Sequence, residues 1–268
     1  MLHREKENGE AMSPKTIFFD IDGTIYDEDK RIPASTKEAI AELKKRGHHV
    51  AIATGRAAYM FGDLREELDI HSYVSLNGQY VVYEGEVIYR NPLDTPSLKE
   101  LTLAAEKNDH PVAYIDALGM KVNVAEHEYI RTSIGSLKLA FPAHDPEYFL
   151  QHEIYQALIF CRQKEQAQYA EAYPQLHFIR WHPLCMDVLP GNGSKAGGIQ
   201  QMMSILGVQK EDVYAFGDGL NDLEMLGFVG HGVAMGNAEE EVKAAASYVT
   251  KHVSENGIYE GLRMVGLL

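Results

Sequence analysis

The chain has 268 residues, 45% of them hydrophobic, and a formal net charge of −14, enough for one large domain or two modest ones with a real core. So acidic a balance argues against a nonspecific grip on nucleic acid or an anionic membrane, since either asks for a basic face. The two cysteines, Cys161 and Cys185, form no CxxC pair or zinc-type cluster and read as packed thiols in a reducing compartment.

The opening MLHREKENGEAMSPK is polar, with no apolar stretch of signal-peptide length, and no run in the chain approaches the roughly 20 apolar residues of a membrane span. A cytoplasmic protein is expected, with residues 1–13 a disordered extension and Met12 an alternative start. The apolar run TIFF then ends in two acids, Asp20 and Asp22, followed by Gly23. On an extended strand alternate residues share a side, so both carboxylates face one way, and a glycine lets the chain turn beside a ligand.

IPASTKEAIAELKKRG carries Ser35 and Glu38 as a capping box and Gly47 as a stop, predicting a helix over 36–46. HHVAIATGR follows as a strand ending in Thr54-Gly55-Arg56, and strand, helix, strand at this spacing is a βαβ unit of a parallel sheet. A second helix over 57–68 leads to YVSLNG. Residues 84–187 change character: VAYIDA, KVNVAE, YQALIF and LHFIRW alternate, with helical windows at SLKELTLAAEKN and KEQAQYAEAY. They read as an α+β domain inserted into an α/β core of residues 14–83 and 188–268. The core pattern returns as a helix at SKAGGIQQMMSILG and strands at VYAFGD and HGVAM.

In an open parallel sheet the functional crevice lies beyond the carboxyl ends of the strands, so FFD ending in Asp20, AIAT ending in Thr54 and AFGD ending in Asp218 should converge. Asp222, in GDGLND, adds a fourth acid. Crowded carboxylates repel unless a cation joins them, and all-oxygen ligands suit Mg²⁺ better than zinc. Taken alone, GDGLND also fits a turn that caps a helix at NDLEML. Lys195 stands in the first turn of its helix, against the helix dipole, which points to a nearby anion or else to a solvated surface lysine. GNGSKA meets the loose GxGxxG/A pattern, but it follows Pro190 and lacks the GK[ST] of a P-loop; a dinucleotide site is disfavoured. No HExxH or GxSxG occurs, and His127, between two glutamates, reads as surface decoration.

The ordered set Asp20-Ile-Asp22-Gly23-Thr24, Thr54-Gly55-Arg56, Lys195 and GDGLND resembles the four motifs of the haloacid dehalogenase (HAD) superfamily. The insertion after the second motif, with LNG at 76–78 and GVAMGNA at 232–238, resembles the Cof-type subfamily IIB with its C2B cap. The resemblance implies a Rossmann-like doubly wound core with an inserted cap, and a Mg²⁺-dependent phosphomonoesterase for small metabolites such as sugar phosphates, nucleotides, FMN or PLP. By it, Asp20 is the nucleophile that forms an aspartyl-phosphate and Asp22 the general acid and base. Asp20, Asp22 (through its backbone carbonyl), Asp218 and Asp222 would serve the metal, while Thr54, Gly55, Lys195 and Asn221 would serve the phosphoryl group. An acid at Asp22 favours hydrolysis; a phosphomutase or phosphotransferase with the same nucleophile, or a non-catalytic binder of phosphorylated metabolites, remain the alternatives.

Overall fold

The computed structural model describes residues 13–268; the expected disordered extension, but for its last residue, and the alternative start at Met12 lie outside the described residues. The first stretch runs β1 (Thr16–Phe19), α1 (Ala34–Lys45), β2 (His49–Ala53), α2 (Gly62–Leu68), β3 (Ser72–Ser75), β4 (Tyr80–Tyr83) and β5 (Glu86–Arg90). The middle stretch runs α3 (Thr95–Lys107), β6 (Val112–Ile115), β7 (Met120–Val122), α4 (Glu128–Ser136), β8 (Ala143–His144), β9 (Gln156–Ile159), α5 (Ala167–Ala172), β10 (Leu176–His182) and β11 (Cys185–Pro190). The last runs α6 (Lys195–Leu206), β12 (Val213–Gly217), α7 (Leu223–Phe228), β13 (His231–Ala234), α8 (Glu240–Ala245), β14 (Tyr248–Val249) and α9 (Gly257–Met264).

The first and last stretches build one eight-stranded sheet in the order β14-β13-β12-β1-β2-β3-β4-β5. It is parallel from β14 to β3 and ends in the antiparallel β3-β4-β5 edge. Its two central strands, β1 and β12, are buried at every position because both faces are covered. Ile17 and Phe19 of β1, with Tyr214 and Phe216 of β12, face a layer that includes Ile40 and Leu43 of α1 and Leu262 of α9. Phe18, Val213 and Ala215 face the opposite layer with Ile199 and Met202 of α6 and Met225 of α7. Phe19 and Phe216 stack with ring centroids 5.0 Å apart. The strand order reverses between β1 and β12, and the crevice at such a switch point is where doubly wound sheets bind ligands.

The middle stretch forms a second, six-stranded sheet, β10-β11-β9-β6-β7-β8, all antiparallel except the β7-β8 pair. One face packs on α3 and α5; the other packs on α4 and reaches Ala57 and Leu76 of the core. Strand β5 pairs with β4 in the core sheet, and β11 pairs through Pro190 with β10 in the cap sheet. The changeovers therefore lie between 91 and 94 and just after 190, later than the expected boundaries at 84 and 187. The linkers touch: Asn91 Nδ2 donates to Gln79 Oε1 at 2.8 Å and to Asn192 Oδ1 at 3.2 Å.

Helix α1 begins earlier than expected, at Ala34 after Pro33, with no side-chain cap. Ser35 falls inside the first turn, its hydroxyl without a partner among the described residues, so the expected capping box does not form. The Leu76-Asn77-Gly78 turn is left-handed throughout, with φ of 52°, 51° and 94°. A Cβ on Gly78 would lie 2.0 Å from the Ser194 carbonyl oxygen, so glycine is what lets the start of α6 seat against this turn. Among the described residues no helix is long and apolar enough to cross a membrane.

Removing the Phe216 ring from beneath the crevice is expected to cost about 3–5 kcal/mol of stability, read as a lower chemical-denaturation midpoint for Phe216→Ala. A cost below about 1 kcal/mol would show that the Phe19–Phe216 layer is not the packing centre of the core.

Candidate active site

The carboxyl ends of β1, β2 and β12 bring Asp20, Thr54 and Asp218 to the switch point. Beyond Asp20 the chain doubles back, with Gly23 N donating to Tyr26 O at 3.0 Å and Tyr26 N to Ile21 O at 2.8 Å. Gly23 has φ +80°, and a Cβ there would sit 2.1 Å from Asp218 Oδ2. A glycine is thus required both by the backbone conformation and by the closeness of the second strand end.

Lys195, the first residue of α6, is buried, and its ammonium group donates to Asp20 Oδ1 at 2.6 Å and Asp222 Oδ1 at 2.7 Å. This settles its placement against the helix dipole: it is paired with carboxylates and is no solvated surface lysine. Burial would lower its pKa, but the Asp20 and Asp222 charges outweigh that and raise it. Lys195 does not line the cleft, and its direct partners are the two carboxylates.

Oxygens of Asp20, Asp218 and Asp222 lie within 4.8 Å of one another. Burial first, then the neighbouring acids, raises Asp20 well above the ordinary carboxylate value and Asp218 to about 7. Thr24 Oγ1 donates to Asp218 Oδ1 at 3.0 Å and Asn237 Nδ2 to its Oδ2 at 3.2 Å, fixing that side chain. Asp222 is otherwise engaged: its Oδ2 accepts from the amides of Asp218 and Gly219 at 3.0 and 2.9 Å, and its Oδ1 from Lys195. Asp222 thus holds Lys195 and the turn after β12 as well as belonging to the acid cluster expected at the metal. An all-oxygen cluster whose like charges exceed one lysine is a donor set that fits a hard divalent cation.

The Asp22 carboxylate stands outside this cluster. Arg56 grips it in a bidentate pair, Nε to Oδ2 and Nη2 to Oδ1, both 2.7 Å, and Lys30 donates to Oδ1. Burial would raise the Asp22 carboxyl, but the hydrogen bonds and charges of Arg56 and Lys30 hold it below its usual value. Only its backbone carbonyl remains a candidate metal ligand. Thr54 is buried, its Oγ1 accepting from the Arg56 amide at 3.1 Å, and Thr54, Gly55 and Asn221 line the cleft. Asn221 Nδ2 donates to Asn77 Oδ1 at 3.2 Å.

Above these groups lies a cleft of about 420 Å³ between core and cap, its floor charged and its roof largely apolar. Asn77 spans the junction: its Nδ2 donates to Asp187 Oδ2 at 2.9 Å and Gln156 Oε1 at 3.2 Å, both from the cap. Burial pushes Asp187 up to about 7 although Asn77, Trp181 and Lys195 favour its ionised form. The roles of Lys30, Arg56, Asn77, Asn237 and Asp187 escape the sequence reading, although Arg56, Asn77 and Asn237 lie inside its quoted motifs. His127 is more than decoration: its Nδ1 accepts from Tyr129 N at 3.1 Å and caps α4. Cys161 and Cys185 are buried free thiols, as expected.

A switch-point acid cluster under an inserted α+β cap defines a class, and sequence comparison agrees: a model of the haloacid dehalogenase-like hydrolase family matches residues 17–262. The chain belongs to that family. It is similar to the protein YkrA of Bacillus subtilis strain 168, 49% identical over 96% of this chain and 100% of the relative. A crystal structure of a Geobacillus kaustophilus protein, 53% identical, superposes with a TM-score of 0.90 over 95% of this chain and 100% of that one. The HAD subclass IIB sugar phosphatase BT4131, 32% identical, gives 0.86 over 95% and 100%. The Rossmann-like core with a cap is thus shared across the chain.

Two outcomes follow from this geometry. Gly23→Ala should destabilise the fold by about 1–3 kcal/mol through the positive φ and displace Asp218, measured by denaturation and by loss of turnover. Asp187→Asn tests the buried acid: the folded protein holds that proton to a higher pH than the unfolded chain, so wild-type stability falls as pH rises from about 4 to about 7. The melting temperature of the variant, relative to wild type, should therefore climb across that window and level off above it; a pH-independent difference would mean that Asp187 is not a buried, high-pKa acid.

Proposed function

We propose that the chain is a Mg²⁺-dependent phosphomonoesterase for small phosphorylated metabolites, working through an aspartyl-phosphate on Asp20. The observation that carries this reading is the state of Asp20: Oδ1 is tied to Lys195, while Oδ2 has no hydrogen-bond partner among the described residues and the side chain borders the cleft. A carboxylate oriented by one oxygen and free at the other is suited to in-line attack. The likeness to the sugar phosphatase BT4131 supports the same reaction class.

Asp20 Oδ2 attacks phosphorus, the ester P–O bond breaks, and Asp22 delivers a proton to the departing oxygen. Asp22 then takes a proton from water as the water oxygen attacks phosphorus, the P–O bond to Asp20 breaks, and inorganic phosphate leaves. Arg56 and Lys30 keep Asp22 ionised at rest; an incoming phosphoryl dianion competes for those two cations, which loosens their hold and favours protonation of Asp22. Thr54 and the Gly55 amide border the space where phosphoryl oxygens would sit and act by hydrogen bonding. Asp20, Asp218 and the Asp22 carbonyl would hold Mg²⁺, which neutralises charge on the phosphoryl oxygens when bound.

Phosphate release from a panel of sugar phosphates, nucleotides, FMN and pyridoxal phosphate is expected to require Mg²⁺, to stop with EDTA, and to fall by at least about 10³-fold in Asp20→Asn. Full activity in Asp20→Asn, or persistence in EDTA, would overturn the mechanism. Asp22→Ala should reduce kcat by roughly 10²–10⁴-fold with a much smaller change in KM; equal losses in both would remove Asp22 from proton transfer.

A further inference from the structure

A β-strand sends successive side chains to opposite faces, yet Trp181 and His182, neighbours at the end of β10, both line the cleft. A bulge allows it: the pairing of β10 with β11 slips by one residue between Arg180 and His182, and such a bulge re-aims a side chain. Arg180 braces the bend, its Nη1 donating to Cys161 O and His182 O at 3.1 Å and to Pro183 O at 3.3 Å. The hairpin that carries His182 is therefore tied down at its tip.

The ring so placed has a defined tautomer. His182 Nδ1 lies 3.1 Å from the Leu184 amide nitrogen, and an amide N–H can only donate, so Nδ1 keeps its lone pair. Ser133 Oγ, 3.0 Å away, is free to donate to the same atom. A neutral imidazole carries one N–H, which therefore sits on Nε2. Burial, then the Arg180 charge, holds the His182 pKa below its ordinary value, which keeps the ring neutral. Nε2 has no hydrogen-bond partner among the described residues, and the half-buried residue borders the cleft.

The polar side chains nearby are already engaged. Trp181 gives its ring N–H to Asp187, Asp187 also accepts from Asn77, and Ser136 Oγ donates to Ser133 O. Gln156, whose Oε1 accepts from Asn77, stands two strands away on β9. Beside the apolar wall of Ile134 and Leu137, His182 is left with a hydrogen to give. A donor that a ligand buries without meeting it costs more than one that it meets gains, so such a group discriminates between leaving groups.

We propose that His182 is a specificity-determining residue whose Nε2–H donates to an acceptor atom on the leaving group; this rests on the hydrolytic reading of the same site. It contributes no proton to the reaction and sorts esters by whether they can receive that hydrogen bond.

With the histidine nitrogens of the full chain isotope-labelled for NMR, the His182 signals are identified by their loss in His182→Gln. They are expected to show a neutral ring with its hydrogen on Nε2 at about pH 7.5; a hydrogen on Nδ1, or an imidazolium, overturns the proposal. The Mg²⁺-loaded full chain is then assayed on glucose 6-phosphate, AMP and pyridoxine 5′-phosphate against phenyl phosphate, whose leaving group has no acceptor beyond the ester oxygen. For the best of the first three, His182→Phe should lower kcat/KM about tenfold, mainly through KM, while phenyl phosphate changes less than about twofold. His182→Gln, with an amide nitrogen at the reach of Nε2, should keep most of the efficiency, and His182→Asn, which reaches only as far as Nδ1, should not. An equal loss on phenyl phosphate, or no loss on any ester, overturns the assignment. Release from no ester at all would instead sink the hydrolytic reading, and the Nε2 signal in Asp20→Asn then decides the donor separately. A saturable shift with at least one of the three acceptor-bearing esters but not with inorganic phosphate is expected; its absence overturns the proposal.

Discussion

Three carboxylates meet at the ends of two neighbouring strands, and what makes that arrangement tolerable is a buried ammonium group lodged between two of them. Lys195 joins Asp20 and Asp222 from a helix that arrives long after the first strand, so the charge balance of the site is a tertiary contact between distant parts of the chain. Breaking one half of such a pair would leave an uncompensated charge in a dry environment, which is far more damaging than any surface ion pair. The surrounding details follow from this constraint. Asp222 must lie under the turn after β12 to reach the lysine, and Gly78 must lack a side chain so that α6 can start close enough to deliver it. Asp22, kept apart, has its own cations in Arg56 and Lys30.

The acids themselves are legible in the sequence, because an apolar run that stops at a carboxylate is unusual and strand ends of a parallel sheet converge by topology. The layered α/β core follows from the same runs. Less legible are contacts made by the folded chain: nothing local tells that Asn77 will hold Gln156 and Asp187 of the cap, or that Lys30 will fold back onto Asp22 within the core. The cap boundary was also hidden for a physical reason. Strands β4 and β5 are joined through Glu84 and Gly85, both at positive φ, a tight hairpin turn whose alternating flanks look like those of the inserted sheet, although hydrogen bonding assigns them to the core. At α1, Pro33 opens the helix early enough to carry Ser35 past the capping position, so a correct sequence signature marked a bond that does not form.

Core and cap meet over a junction with little side-chain freedom. Asn77 sits in left-handed backbone, packed under the cap, and reaches Asn221 on one side and Gln156 and Asp187 on the other. A strained residue that is over-determined by its neighbours is a common way of holding a functional group in one place. Here it ties the orientation of polar groups in the roof to a residue at the floor of the cleft.

The touching linkers have a further meaning for how this chain can be assembled. Asn91 and Asn192 lie a hydrogen bond apart, with Gln79 joined to the same network, so the cap leaves the core and returns to it at nearly one point. To the core, the whole six-stranded unit is a loop whose ends are already together, and closure entropy grows only slowly with the length of such a loop. An architecture of this kind can exchange one roof for another without rebuilding the floor, keeping its reaction while changing the molecules that reach it.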